Sequence, residues 1–184
     1  MPEKKPKSEL VRDPQLPRET RSGLRFRVLL GLCLLWCALF LGAPAGAVDR
    51  VNFSEQDLYG QDLSGSNFPL GSFVNTNLQY AHLDHSDLSG ATLTKANLSH
   101  ADLSGSTLEN AMLDLAILDY ANLSQANLSG AILSRANWYE TDITGADFTD
   151  AIVDRAAIRY LCQTAQGENL QTGVKTRVSL GCRS

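Results

Sequence analysis

From residue 51 to residue 160 an apolar side chain recurs at every fifth position, 22 times in succession without a slip. The series runs Phe53, Leu58, Leu63, Phe68, Phe73, then Leu at every fifth residue from Leu78 to Leu133, then Trp138, Ile143, Phe148, Val153 and Ile158. Two residues before each of them the chain is small. Of those 22 positions 13 are Ala, six more are Ser66, Gly71, Thr76, Ser86, Ser106 and Thr141, and only Val51, Gln56 and Gln61 are larger. A period of five fits neither the ~3.6 of an α-helix nor the ~2 of a strand. On a helix it would smear around the whole surface; on a strand it would send alternate Leu residues to opposite faces. The pattern demands a chain that turns after each short segment and keeps the large and the small position inward. That is a solenoid, in which each turn buries its apolar side against the next.

The units Ala96-Asn97-Leu98-Ser99-His100, Ala101-Asp102-Leu103-Ser104-Gly105 and Ala126-Asn127-Leu128-Ser129-Gly130 resemble the A-(D/N)-L-x-x consensus of the pentapeptide-repeat family, and the resemblance extends over 110 of the 184 residues. It implies an all-β solenoid, a right-handed quadrilateral β-helix with four pentapeptides per coil. Stacked at ~4.8 Å per coil, such a solenoid would be roughly 25 Å long. In that fold Leu98, Leu103, Leu123 and Leu128 fill a narrow core, and Ala96, Ala101, Ala121 and Ala126 occupy the second inward position, where only a small side chain fits. Ser, Asp, Asn, Thr and Gly serve the corners. The ends of a solenoid are β edges that need covering, and Val51, Gln56 and Gln61 point to an irregular first coil.

The residues ahead of the repeat read as an address rather than a fold. Residues 1–27 are polar and carry Pro2, Pro6, Pro14 and Pro17; residues 28–41 are uncharged and apolar; Ala45-Gly46-Ala47 is an A-x-A site. This is a signal peptide over 1–47, with cleavage expected after Ala47. The rival is an uncleaved membrane anchor over 28–47, but the strongly apolar stretch is shorter than the ~20 residues a span needs. Arg21, Arg25 and Arg27 are not adjacent, so no twin-arginine signal is indicated. Large residues, Leu32 and Trp36, precede Cys33 and Cys37, which argues against a lipidated cysteine.

Removing residues 1–47 also removes Cys33 and Cys37 and leaves Cys162 and Cys182. Two thiols in an exported domain are expected to pair; the alternative is two free, half-buried cysteines. Closing a loop of ~20 residues contributes about 3 kcal/mol in the chain-entropy model. The expected division is therefore signal peptide 1–47, β-helix 48–160 and a short, helical, disulfide-closed C-terminal cap 161–184, with Leu161, Leu170, Val174, Val178 and Leu180 available to cover the last coil. This tail resembles that of lumenal pentapeptide-repeat proteins of cyanobacteria and chloroplasts, which implies export to the thylakoid lumen or the periplasm.

If one coil is 20 residues, side chains 20 apart share an outward column. Tyr80, His100, Tyr120, Glu140 and Tyr160 form one; Met112, Ile132 and Ile152 form a second, with Leu115 and Ile117 near it. The aromatic column either stabilises its own ladder or binds a partner. The apolar column is covered either by the C-terminal segment or by a partner. A third column, Asp62, His82 and Asp102, reads as a solvated surface ladder, with a metal or acid/base site as the remote alternative.

Residues 51–160 carry four basic and fourteen acidic side chains, a net −10 against −4 for the whole chain. A basic nucleic-acid binder is excluded for the body, and no nucleotide-binding loop is present. No cofactor and no catalytic residues are indicated. The expected function is a non-enzymatic, exported scaffold or protein-interaction module with an unidentified protein partner. A homodimer fits the same surfaces, and membrane contact would come only through the N-terminal segment. The alternative is an acidic, cytoplasmic, DNA-like binder of gyrase, a role that the family resemblance implies for some members.

Overall fold

The computed structural model describes residues 50–183. The expected signal peptide over 1–47, with Ala45 and Ala47, lies outside the described residues.

Every parallel bridge in the structure joins residue i to residue i+20, from Asn52–Ser72 to Ile132–Ile152. Each coil therefore holds four pentapeptides. Five complete coils run over 51–70, 71–90, 91–110, 111–130 and 131–150, and a fragment of a sixth follows. The four faces are named here by the position that forms the bridges: the 52, 57, 62 and 67 columns.

One unit shows how the sequence dictates the coil. The Asp102 amide donates to Ala81 O of the coil before (2.9 Å), and the Leu103 and Gly105 amides donate to Asn122 O (2.8 Å) and Ser124 O (2.9 Å) of the coil after. The Ser106 amide closes the corner on Leu103 O at 3.1 Å. The fifth amide, of Ser104, turns back to the Asp102 carboxylate at 3.0 Å. All five backbone donors are thus satisfied without a conventional sheet. The same Asx contact recurs at Asp57, Asp62, Asn77, Asp87, Asn97, Asn122, Asn127, Asp142 and Asp147. Much of the acidity of the repeat is therefore backbone chemistry, because the position needs a short side-chain acceptor and Asp or Asn supplies it.

The third residue of each corner, from Glu55 to Asp150, has φ between 53° and 71°. With a single left-handed residue and an i to i+3 hydrogen bond these are type II corners. The two inward positions behave as their size requires. Leu98, Leu103, Leu123 and Leu128, with Ala96, Ala101, Ala121 and Ala126, have at most 1% of their surface exposed. At four of the five positions where Ser or Thr replaces Ala, the hydroxyl donates to a backbone carbonyl: Ser86 to Leu83 O, Ser106 to Leu103 O, Thr76 to Phe53 O and Thr141 to Leu118 O. In the first coil Phe53, Leu58, Leu63 and Phe68 are only half-buried, and Phe53 and Phe68 cluster with Phe73 at ring distances of 5.2–5.7 Å.

The coil ends earlier than the pentad phase. Helix α1, Arg155–Leu161, replaces the unit at 156–160, so Ile158 is a helical residue and not a rung of the core. The sequence RAAIRYL keeps the spacing of small and apolar residues but contains no Gly, Asn, Asp or Ser to favour a corner, and is rich in the helix formers Ala, Arg and Leu. The Asp154 carboxylate accepts from the Arg135 amide of the coil below rather than capping α1. Helix α2, Thr176–Ser179, follows after a loop, and the disulfide Cys162–Cys182 joins the two ends of the segment with Cα atoms 5.6 Å apart.

Leu161, Ala165 and Leu180 join the buried core. Leu170 and Val178 do not: they are 87% and 70% exposed, and Val174 is half-buried. Polar contacts also hold the last coil. The Gly145 amide donates to Gln166 O (2.8 Å) and the Phe148 amide to Ser179 Oγ (3.0 Å). A Cβ on Gly167, whose φ is 81°, would lie 2.9 Å from the Gly145 nitrogen, so this backbone-to-backbone approach requires glycine at 167.

Candidate interaction surface

The most ordered surface feature is a ladder of aromatic rings on one corner. Tyr80, His100 and Tyr120 occupy the left-handed corner position of successive coils, with φ of 58°, 60° and 61°. That conformation costs a residue with a Cβ roughly 1 kcal/mol relative to glycine. The rings recover it by stacking: Tyr80 to His100 at 4.6 Å and 3°, and His100 to Tyr120 at 4.7 Å and 1°. A ring spacing close to the coil spacing is what makes parallel stacking possible here.

The membership of the ladder differs from the column of residues 20 apart. Glu140 carries no ring, and Tyr160 has left the solenoid for α1, where its hydroxyl accepts from the Glu140 amide at 3.1 Å. Tyr139, one residue before the corner, packs edge-on against Tyr120 at 5.3 Å. At the other end Gly60 leaves the corner empty, and Tyr59 packs against Tyr80 at 5.4 Å. The five-ring ladder is thus Tyr59, Tyr80, His100, Tyr120 and Tyr139, and its tyrosines are 46–57% exposed. Partial burial of its hydroxyl, and then the neighbouring Tyr139 hydroxyl and the Glu140 and Asp119 carboxylates, push the Tyr120 phenol above its ordinary range.

Met112, Ile132 and Ile152 form a continuous column on the 52 face, joined by parallel bridges. Met112 is 39% and Ile152 56% exposed, so the C-terminal segment does not cover the column. Leu115 and Ile117, half-buried, border it.

In the third column Asp62, His82 and Asp102 are bridged in register. The cluster that the side chains form is His82 with Asp84 and Asp102, whose ligand atoms lie within 4.8 Å of one another. One Asp102 oxygen is held by the Ser104 amide and by Asn122 Nδ2, each at 3.0 Å. His82 is open to solvent, as a solvated surface ladder requires. Among the described residues no helix is long and apolar enough to cross a membrane.

A family model for pentapeptide repeats matches residues 72–110 and 121–156 in eight copies. Among solved structures, the chain is similar to a pentapeptide-repeat protein of the Arabidopsis thaliana thylakoid lumen: 38% identity, over 72% of this chain and 92% of that one, with a TM-score of 0.70. It is also similar to a pentapeptide-repeat protein of the cyanobacterium Cyanothece: 26% identity, over 56% of this chain and 85% of that one, TM-score 0.55. The chain belongs to the pentapeptide-repeat family, whose members form right-handed β-helix solenoids and are generally structural or interaction modules. The plasmid-mediated fluoroquinolone resistance protein QnrB1 is more distant, at 20% identity over 62% of this chain and 68% of that one, and its TM-score of 0.26 carries no argument about partners. No curated protein matches the chain.

Proposed function

We propose that the protein is an exported, non-enzymatic scaffold that presents the aromatic corner to a protein partner, with the Met112–Ile132–Ile152 column as a second contact strip. The observation that carries this reading is the five-ring ladder. Tyrosines fixed in place lose little conformational entropy on binding, and Tyr is enriched at interfaces. An address over residues 1–47 and similarity to a lumenal protein support a thylakoid-lumenal or periplasmic location. The C-terminal segment serves as the cap that closes one end of the solenoid.

The acidic gyrase-binding alternative has less to stand on. The 62 column reads Asp62, His82, Asp102, Asn122, Asp142 and the 67 column Asn67, Asp87, Thr107, Asn127, Asp147. Neither is a continuous line of charge, and many of these side chains are occupied with their own backbone.

The test is site-specific photocrosslinking in the native cells. A crosslinker at Tyr139 is expected to trap a discrete protein adduct that a crosslinker at Asn110, on another corner, does not. Ile132→Asp is expected to leave the melting temperature within a few degrees, because its column faces solvent, and to weaken that adduct. Equal adducts at both corners, or none at Tyr139, would refute the docking role.

A further inference from the structure

Charge is distributed unevenly along the chain. Residues 51–154 carry two basic and fourteen acidic side chains, a net −12, whereas residues 155–184 carry five basic and one acidic, a net +4. Within that basic end Arg155, Arg159 and Arg183 line a cavity of about 500 Å³ together with Ile158, Gly181 and both half-cystines. Arg155 and Arg159 are four apart on α1, where two like charges repel. Arg155 also stands in the first turn of that helix, where a cation is unfavourable. Among the described residues the ion pair is Arg135 with Asp114, at 3.9 Å, and it lies elsewhere. Arg177 is already committed: its guanidinium donates to Cys162 O (2.9 Å) and Arg183 O (3.3 Å), strapping the two ends of the disulfide loop together. Three arginines without a carboxylate thus converge on a recess whose wall is the Cys162–Cys182 bridge, and both cysteines are only half-buried.

We propose that this recess is a reaction site for a small anionic thiol, one carrying carboxylate or sulfonate groups, and that the disulfide is opened selectively by that class of reductant. The arginines would hold the anionic groups, and a volume of about 500 Å³ is in the range of small-molecule sites. The thiolate attacks Sγ of Cys162; an S–S bond forms to the incoming thiol as the Cys162–Cys182 bond breaks, and Cys182 leaves as a thiolate. Attack on Cys182 with departure of Cys162 would give the same net exchange, because both half-cystines line the recess. A second equivalent of the same thiol then displaces Cys162, so two thiols are oxidised to one disulfide as the protein disulfide is reduced to two thiols.

The experiment measures opening of the 162–182 bridge on the purified full chain, by alkylation and peptide mass spectrometry. The reductants are 2-mercaptoethanesulfonate, 2-mercaptoethanol and cysteamine, with rates compared per thiolate at low and high salt. The expected order is anionic faster than neutral and neutral faster than cationic, with a spread of roughly tenfold that collapses in high salt. In the Arg155→Glu, Arg159→Glu double variant the order should invert, while the oxidised form keeps the wild-type melting temperature. The single Arg155→Gln variant, which adds no charge, should reduce the preference without inverting it. The same order of rates in wild type and both variants, or no dependence on thiol charge, would overturn the proposal.

Discussion

Replacing Leu103 with Asp is expected to unfold the solenoid. Leu103 has no exposed surface and sits in the middle coil with its neighbours Leu83 and Leu123 one coil away on either side. The core is one large side chain wide, so a carboxylate there cannot reach solvent and has no cation to meet. Loss of the buried Leu alone costs about 2–5 kcal/mol, and an unpaired buried charge adds several more. The sum is comparable with the whole stability of a typical domain. The measurement is thermal unfolding by circular dichroism. A variant that melts with the wild type would mean that Leu103 does not face a dry interior.

The second large effect is expected at Asn169. This side chain is buried, and its Nδ2 donates to Gln125 O (3.0 Å), Gly145 O (3.0 Å) and, more weakly, Ala126 O (3.3 Å), while its Oδ1 accepts the Gln171 and Thr172 amides, both at 3.0 Å. One residue thus ties the C-terminal loop to two coils. Asn169→Ala would leave several buried groups unpaired, at a cost of roughly 3 kcal/mol, and is expected to free the segment locally before the coils melt. Hydrogen exchange should show the amides of Gly145 and Leu170 exchanging at least tenfold faster, with the Leu98 and Leu103 amides unchanged. Uniform loss of protection would mean that the segment and the coils unfold as one.

Acid acts on the same junction. Burial pushes the Asp147 carboxyl up, but hydrogen bonds from the Thr149 hydroxyl, from Thr172 and from the Thr149 amide together bring it below its ordinary 3.8. A lowered folded value means that Asp147 stabilises the folded state at neutral pH. That contribution is lost as pH falls below about 3.8 through the folded value. The loosening caused by Asn169→Ala should therefore be reproduced in the wild type at low pH.

The core was legible because its rule is strict. A cavity one Leu wide admits one large and one small side chain per face, so the period of five and the Leu–Ala alternation carry the fold almost unaided. The disulfide partners were legible for a different reason: Cys33 and Cys37 fall in the apolar stretch that reads as an address, which leaves Cys162 and Cys182. The ends were harder. Ile158 keeps the pentad phase, yet the backbone there becomes helical, because the spacing does not record that RAAIRYL is rich in helix formers and has no Gly, Asn, Asp or Ser for a corner. Leu170 and Val178 were expected against the last coil on hydrophobicity, and they face solvent while Asn169 makes the contact. A lone Asn in a loop has no periodic neighbours to reveal it. In the ladder, Tyr59 and Tyr139 escape a register of 20 because a long ring reaches the rung from the residue before the corner. Their signal in the sequence was the adjacent corner without a ring, Gly60 or Glu140.

The reading of this protein as an exported scaffold closed by a disulfide is tested most directly by the intact mass of the protein taken from its native cells, before and after reduction. The predicted species begins at Val48 and becomes about two mass units heavier on reduction, as one S–S bond becomes two thiols. A full-length chain whose mass does not change on reduction would contradict both the export and the closed C-terminal loop.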